Sequence, residues 1–192
     1  MNTGLTEMLV QNGYLKSRSI IHAFNKITRV DFVPPELESR AEMDVALPIG
    51  LEQTISQPST VATMLELLDP KRGQQVLDIG SGSGWTSAML ADIVGSQGKV
   101  VAVEIIPELH EMTKRNVEKF GFVSSGTVEC ILNDGNRGYE PLSPYDRILV
   151  SASADEIPWI LKEQLVIGGK MIIPIRESLV YIEKRGENDF YK

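Results

Sequence analysis

The spacing of apolar residues along this 192-residue chain changes character near residue 74. Before that point apolar positions recur at helical spacing. Leu5, Met8 and Leu9 share one face and Gly13 stops that turn; Ser17 then precedes Ile20, Ile21, Phe24 and Ile27 on the next. Extended chain is predicted through Phe32-Val33-Pro34-Pro35, because a residue before proline avoids the α region. A third helix opens at Pro58, a favoured first helical position, and buries Val61, Met64, Leu65 and Leu68.

From residue 74 onward β-rich runs alternate with helical stretches. Strands are predicted at 75–79, 99–104, 127–132, 147–151 and 170–175, and helices from the first strand to Gly95, over 107–120 with Gly121 as stop, and over 157–164. Apolar strands separated by helices make an α/β fold, a doubly wound and mostly parallel sheet covered on both faces. The length predicts one domain over 1–192, with a mainly helical N-terminal part at 1–73 and a cofactor-binding part at 74–192. Ligands of such sheets sit beyond the carboxyl ends of the strands, near the point where strand order reverses.

Composition narrows the classes. Hydrophobic residues at 42% and charged residues at 23% describe a globular chain with enough apolar material for a core. Lys and Arg number 19 against 26 Asp and Glu, a net charge of −7 that disfavours a nucleic-acid partner. Cys130 alone forms no internal disulfide, and with only His22 and His110 no metal site is expected. The N-terminus shows no basic and apolar leader, and no apolar run approaches the roughly 18 residues of a membrane span. A cytoplasmic protein with no membrane partner is expected, and a monomer is the favoured state.

The chemistry concentrates at strand ends. Gly80-Ser81-Gly82-Ser83-Gly84 follows the first parallel strand and opens a helix, so its backbone N–H groups can face an anionic ligand group. Asp78 precedes it, placed either to tie the loop to neighbouring backbone or to touch the ligand. Glu104 closes the second strand, where a carboxylate accepts from both ribose hydroxyls of an adenosine ligand, and Asp134 after the third can receive an adenine amino proton. A dinucleotide site would carry a third glycine at position 85, but that position is Trp85, which obstructs a pyrophosphate. S-adenosylmethionine, which brings only a carboxylate to the turn, fits better than NAD.

A second dense segment, Leu47-Pro48-Ile49-Gly50-Leu51-Glu52-Gln53-Thr54-Ile55-Ser56-Gln57-Pro58, leads into the third helix. Thr54, Ser56 and Gln57 can all serve as caps for its free N–H groups. The same geometry, with exposed N–H groups and a hydroxyl converging, also binds a substrate carboxylate.

Taken in order, Leu-Pro-Ile-Gly at 47–50, Gln-Thr-Ile-Ser-Gln-Pro at 53–58, Val-Leu-Asp-Ile-Gly-Ser-Gly-Ser-Gly at 76–84, Asp134-Gly135, Ile157-Pro158, Gln164-Leu165, Gly168-Gly169-Lys170 and Ile173-Pro174 resemble the protein-L-isoaspartate O-methyltransferase family. The resemblance covers about residues 20–176, and the segment 54–58 is specific to that family among methyltransferases. Thr28-Arg29-Val30-Asp31-Phe32-Val33-Pro34 is similar to its Pro-Arg-x-x-Phe-Val-Pro.

The resemblance implies a Rossmann-like methyltransferase fold and a repair enzyme that methylates the free α-carboxylate of isoaspartyl residues in aged proteins, using S-adenosylmethionine and releasing S-adenosylhomocysteine. It assigns Ser56 as the active-site hydroxyl, with Thr54, Ile55 and Gln57 beside the substrate and Gln53, Thr54 and Ile55 near the cofactor. Gly80, Ser81 and Gly82 would hold the methionine end, Glu104 and Ile105 the ribose, and Asp134 with Gly135 the adenine, with Asp78 counted among the cofactor residues.

Departures from the family pattern carry expectations of their own. Glu52 stands where a second glycine is usual and would repel an anionic substrate; Asn133 replaces a glycine; Ser151-Ala152-Ser153 stands for Thr-Ala-Ala. After Leu179 to Lys184 and a turn at Gly186 the family's final strand is expected to be missing, leaving a truncated C-terminal strand region with an open sheet edge. Two rivals follow. The first is another methyltransferase, acting on nucleic acid or a small molecule; an amino-directed nucleic-acid enzyme would carry Asn/Asp-Pro-Pro-Tyr/Phe where Ser151-Ala152-Ser153-Ala154 stands. The second, a catalytically impaired adenosyl-binding or protein-interaction module, would bind cofactor without transferring methyl.

Overall fold

A computed structural model describes residues 4–192; residues 1–3, part of the N-terminal stretch inspected for a leader, lie outside the described residues. The N-terminal part contains helices α1 (Gly4–Gln11) and α2 (Arg18–Lys26), a two-stranded ribbon of β1 (Leu47–Gly50) and β2 (Gln53–Ile55), and helix α3 (Pro58–Leu68). Then come β3 (Gln75–Ile79), α4 (Trp85–Val94), β4 (Lys99–Glu104), α5 (Pro107–Glu118), β5 (Val128–Leu132), β6 (Tyr145–Val150), α6 (Trp159–Glu163), β7 (Leu165–Ile175), β8 (Ser178–Lys184) and β9 (Phe190–Tyr191).

The main sheet has the order β5-β4-β3-β6-β7-β8-β9, parallel through β7 and antiparallel beyond it. Strand order therefore reverses between β3 and β6. Right-handed crossovers place α4 and α5 on one face, and the return from β5 across to β6 and β7 on the other. The alternation of each strand records both faces. Val76, Val100, Val128, Leu149 and Ile172 join a large core with α1 to α5, whereas Leu77, Val101, Ile148 and Met171 face a smaller core. That second layer is thin: α6 and two 3-10 turns, Gly135–Arg137 and Glu140–Leu142, supply its cover.

One expectation needs correction, and two local features go beyond the pattern. The extended chain at 32–35 shrinks to Val33 and Pro34, because 3-10 turns occupy Arg29–Phe32 and Pro35–Arg40 on either side. The segment 47–55 is a β-ribbon turning at Leu51 and Glu52, both at positive φ (52° and 59°). At α2, Ser17 makes no side-chain cap; the Glu66 carboxylate accepts its amide and its hydroxyl at 2.8 and 2.7 Å. At the C-terminal end β8 pairs along all of Ser178–Glu183, and β9 covers only Glu183 and Lys184, so the rest of the outer edge has no strand beside it among the described residues.

Candidate active site

The carboxyl ends of β3, β4 and β6, with the ribbon and the start of α4, enclose a cavity of about 320 Å³ at the point where strand order reverses. Gln53, Thr54, Ile55 and Ser56 line it from the ribbon, Gly80, Ser81 and Gly82 from the glycine turn, Glu104 and Ile105 from β4, and Asp134 and Gly135 from the turn after β5. Segments separated by up to about 80 residues in the sequence thus meet in one volume, as expected from their motifs.

The glycine turn is built by three backbone inversions, with φ of 76° at Gly80, 54° at Gly82 and 87° at Gly84, which explains glycine at every second position. Its amides are spent internally. Gly80 and Ser81 donate to the Val103 carbonyl (2.9 and 3.2 Å), Gly82 to Glu104 Oε2 (2.9 Å) and Gly84 to the Ser81 carbonyl (2.7 Å). The expectation that these amides face an anionic ligand is therefore corrected: the turn offers shape and closeness, with four of its donors engaged.

Glu104 is only 6% exposed, buried at the end of β4. Oε1 accepts the Ile105 and Ile106 amides at 2.8 and 3.0 Å, and with Gly82 on Oε2 three of its roughly four lone-pair positions are filled. One position remains for a ligand hydroxyl, half of what the sequence reading gave it. Asp134 Oδ1 accepts the Asn136 amide at 3.0 Å, which shapes the turn where Gly135 sits. Gly135 has no alternative, since a Cβ there would overlap Ile79 Cγ2.

Two expected site residues fall outside the cavity. Asp78 alternates onto the face beneath α4, where it is fully buried; Thr86 and Ser87 hydroxyls donate to Oδ2 at 2.8 and 2.6 Å, and Oδ1 has no partner. Burial pushes its pKa up to about 6, against the lowering by Ser87 and Thr86 and with a smaller raise from Glu104. Its contacts make it a tie between β3 and α4. Gln57 donates to Asp44 Oδ2 and Ser59 Oγ at 3.2 and 3.0 Å, and faces away from the cavity.

Asp44 was not anticipated. Its Oδ1 accepts the Ser59 amide at 2.8 Å, so α3 is capped by a residue from 15 positions upstream, and neither Thr54, Ser56 nor Gln57 caps it. Ser56 is left half-buried at the cavity wall. Trp85 turns its indole into the helical layer, donating to the Ile27 carbonyl at 3.0 Å and meeting Phe24 edge-on at 5.5 Å, which fills the place a third glycine would leave open. His22 is exposed beside Asp92, and His110 neighbours Glu111, both outside the cavity. Among the described residues no cluster suits a metal, and no helix is long and apolar enough to cross a membrane.

The family model described as protein-L-isoaspartate(D-aspartate) O-methyltransferase matches residues 1–191. The chain belongs to that family. It is 47% identical over 189 residues to the protein-L-isoaspartate O-methyltransferase of Methanopyrus kandleri, covering 96% of this chain and 83% of that one. It is 49% identical over 166 residues to protein-L-isoaspartate O-methyltransferase 1 of Archaeoglobus fulgidus, covering 86% and 76%. Among solved structures, one protein-L-isoaspartate O-methyltransferase superposes with a TM-score of 0.84 at 33% identity, covering 96% of this chain and 60% of that longer chain. A putative Plasmodium falciparum isoaspartate methyltransferase, solved in complex with S-adenosyl-L-homocysteine, superposes with a TM-score of 0.87 at 25% identity, covering 98% and 92%. The Rossmann-like sheet and its cavity are thus those of a protein-L-isoaspartate O-methyltransferase family member.

Proposed function

We propose that this chain transfers the methyl group of S-adenosylmethionine to the free α-carboxylate of L-isoaspartyl residues in damaged proteins. The observation that carries the reading is the convergence of Ser56, the glycine turn and Glu104 on one cavity. The residues fit the cofactor: Glu104 keeps one acceptor position for a ribose hydroxyl, Asp134 and Gly135 form the wall where a flat ring would lie, and Gly80 and Gly82 bring bare backbone to the methionine end.

The bound cofactor supplies a methyl group on a positively charged sulfur. The acceptor carboxylate is already ionised near neutral pH, so the chain needs no general base. Ser56 donates a hydrogen bond that orients the carboxylate, and Thr54 and Ile55 flank it. Holding the oxygen in line with the methyl in a site with little water is worth several kcal/mol in favourable cases. The apolar walls from Ile55, Val61 and Trp85 limit water there.

One domain over 1–192, a cytoplasmic location, a monomeric state and isoaspartyl proteins as the partners complete the proposal. The shared core of the N-terminal helices and the sheet supports the single domain, and the acidic net charge argues against nucleic acid. The test is the chemistry of the product. Labelled methyl transferred to an isoaspartyl peptide should be released as methanol in mild alkali, the behaviour of a carboxyl ester; alkali-stable label would point to nitrogen methylation and overturn the reading.

A further inference from the structure

Arg29, behind the Ser56 wall of the site, is strongly buried, only 3% exposed. Nη1 donates to the carbonyls of Ala41 (3.1 Å) and Met43 (3.2 Å), and Nη2 to those of Val45 (2.8 Å), Ile55 (3.3 Å) and Ser56 (3.0 Å). It also lies 5.5 Å from the centre of the Trp85 ring. Burial lowers its pKa to about 10, Asp44 opposes that, and the group stays charged at neutral pH.

A planar trans peptide directs its C=O and N–H in opposite directions. With the Ile55 and Ser56 carbonyls both turned toward Arg29, the N–H groups of Ser56 and Gln57 point away from it. Arg29 lies behind the cavity wall and Ser56 forms part of it. The same guanidinium anchors 41–45, the stretch that carries Asp44 to the α3 N-terminus. An ammonium is a point donor and does not span carbonyls spread over residues 41 to 56 as a planar fork does.

We infer that Arg29 is a positioning residue for methyl transfer: it fixes the two peptide planes flanking Ser56, and so aims the Ser56 hydroxyl at the substrate carboxylate. The inference rests on the function proposed above.

The test compares the wild type with Arg29→Lys and Arg29→Ala. Turnover of an isoaspartyl peptide, as kcat/KM, should fall by about 10-fold or more in Arg29→Lys, with S-adenosylhomocysteine affinity by calorimetry held within about threefold. The backbone amide resonances of Ser56 and Gln57 should shift. Free guanidinium should restore part of the turnover of Arg29→Ala, a recovery that general loss of packing would not allow; if that variant fails to fold, Arg29→Lys decides alone. Full turnover in Arg29→Lys with unmoved Ser56 and Gln57 resonances overturns the inference, as does cofactor affinity falling in step with turnover. An inactive wild type would instead strike the functional reading, and the amide resonances would then judge Arg29 by themselves.

Discussion

Glu104 Oε2 accepts the Gly82 amide at 2.9 Å, which binds the end of β4 to the middle of the glycine turn. One carboxylate therefore shapes the turn and leaves an acceptor for the ligand. In Glu104→Gln an NH2 group would face backbone donors whichever way the amide is turned. S-adenosylhomocysteine affinity should drop by about 10-fold or more, with a stability loss of about 1–3 kcal/mol from unsatisfied buried amides. Calorimetry and denaturant melts check both; unchanged affinity would remove Glu104 from the cofactor site.

Ser56 acts on the substrate side of the cavity, where Ser56→Ala should lower methylation by at least about 10-fold and leave cofactor affinity within about threefold. Steady-state rates and calorimetry on the same preparation separate the two effects. A variant retaining the full rate would take the hydroxyl out of the mechanism.

Asp78 gives the protein a pH-dependent stability. Its pKa of about 6 in the fold exceeds the ordinary 3.8, so its favourable contribution is complete below about pH 4 and is lost as pH rises through 6. Relative to Asp78→Asn, the wild type should lose about 2 kcal/mol of stability between pH 4 and pH 7. Denaturant melts across that range test it, and a difference constant with pH contradicts the assignment.

Glu52 occupies a left-handed position, φ 59°, at the ribbon turn, which accounts for glycine there in the family pattern. Glu52→Gly should relieve strain and raise stability by up to about 1 kcal/mol. It should also lower KM for acidic isoaspartyl peptides by removing a like charge next to Gln53, which lines the cavity. A raised KM would show instead that Glu52 contacts substrate.

The strands at 75–79 and 99–104 were legible to the residue, because continuous apolar runs bounded by a glycine turn and by Glu104 leave little choice of boundary. The cavity was legible through strand-end motifs, since the topology brings strand ends together whatever the loops do. The ribbon at 47–55 was not, because Pro48 and Gly50 break any period-2 pattern in so short a run. Asp44 and Arg29 escaped for a different reason. Their bonds reach 15 and up to 27 residues along the chain, and spacing rules cover only neighbours within a turn or two. Asp78 could have been placed: Val76 and Asp78 share a strand face, and the helix that follows packs on it.

The most direct measurement is methyl transfer from labelled S-adenosylmethionine to two peptides identical except for a normal aspartyl or an isoaspartyl linkage. Labelling of the isoaspartyl peptide alone is the predicted result. Equal labelling of both, or of neither while S-adenosylhomocysteine still binds, would contradict the account.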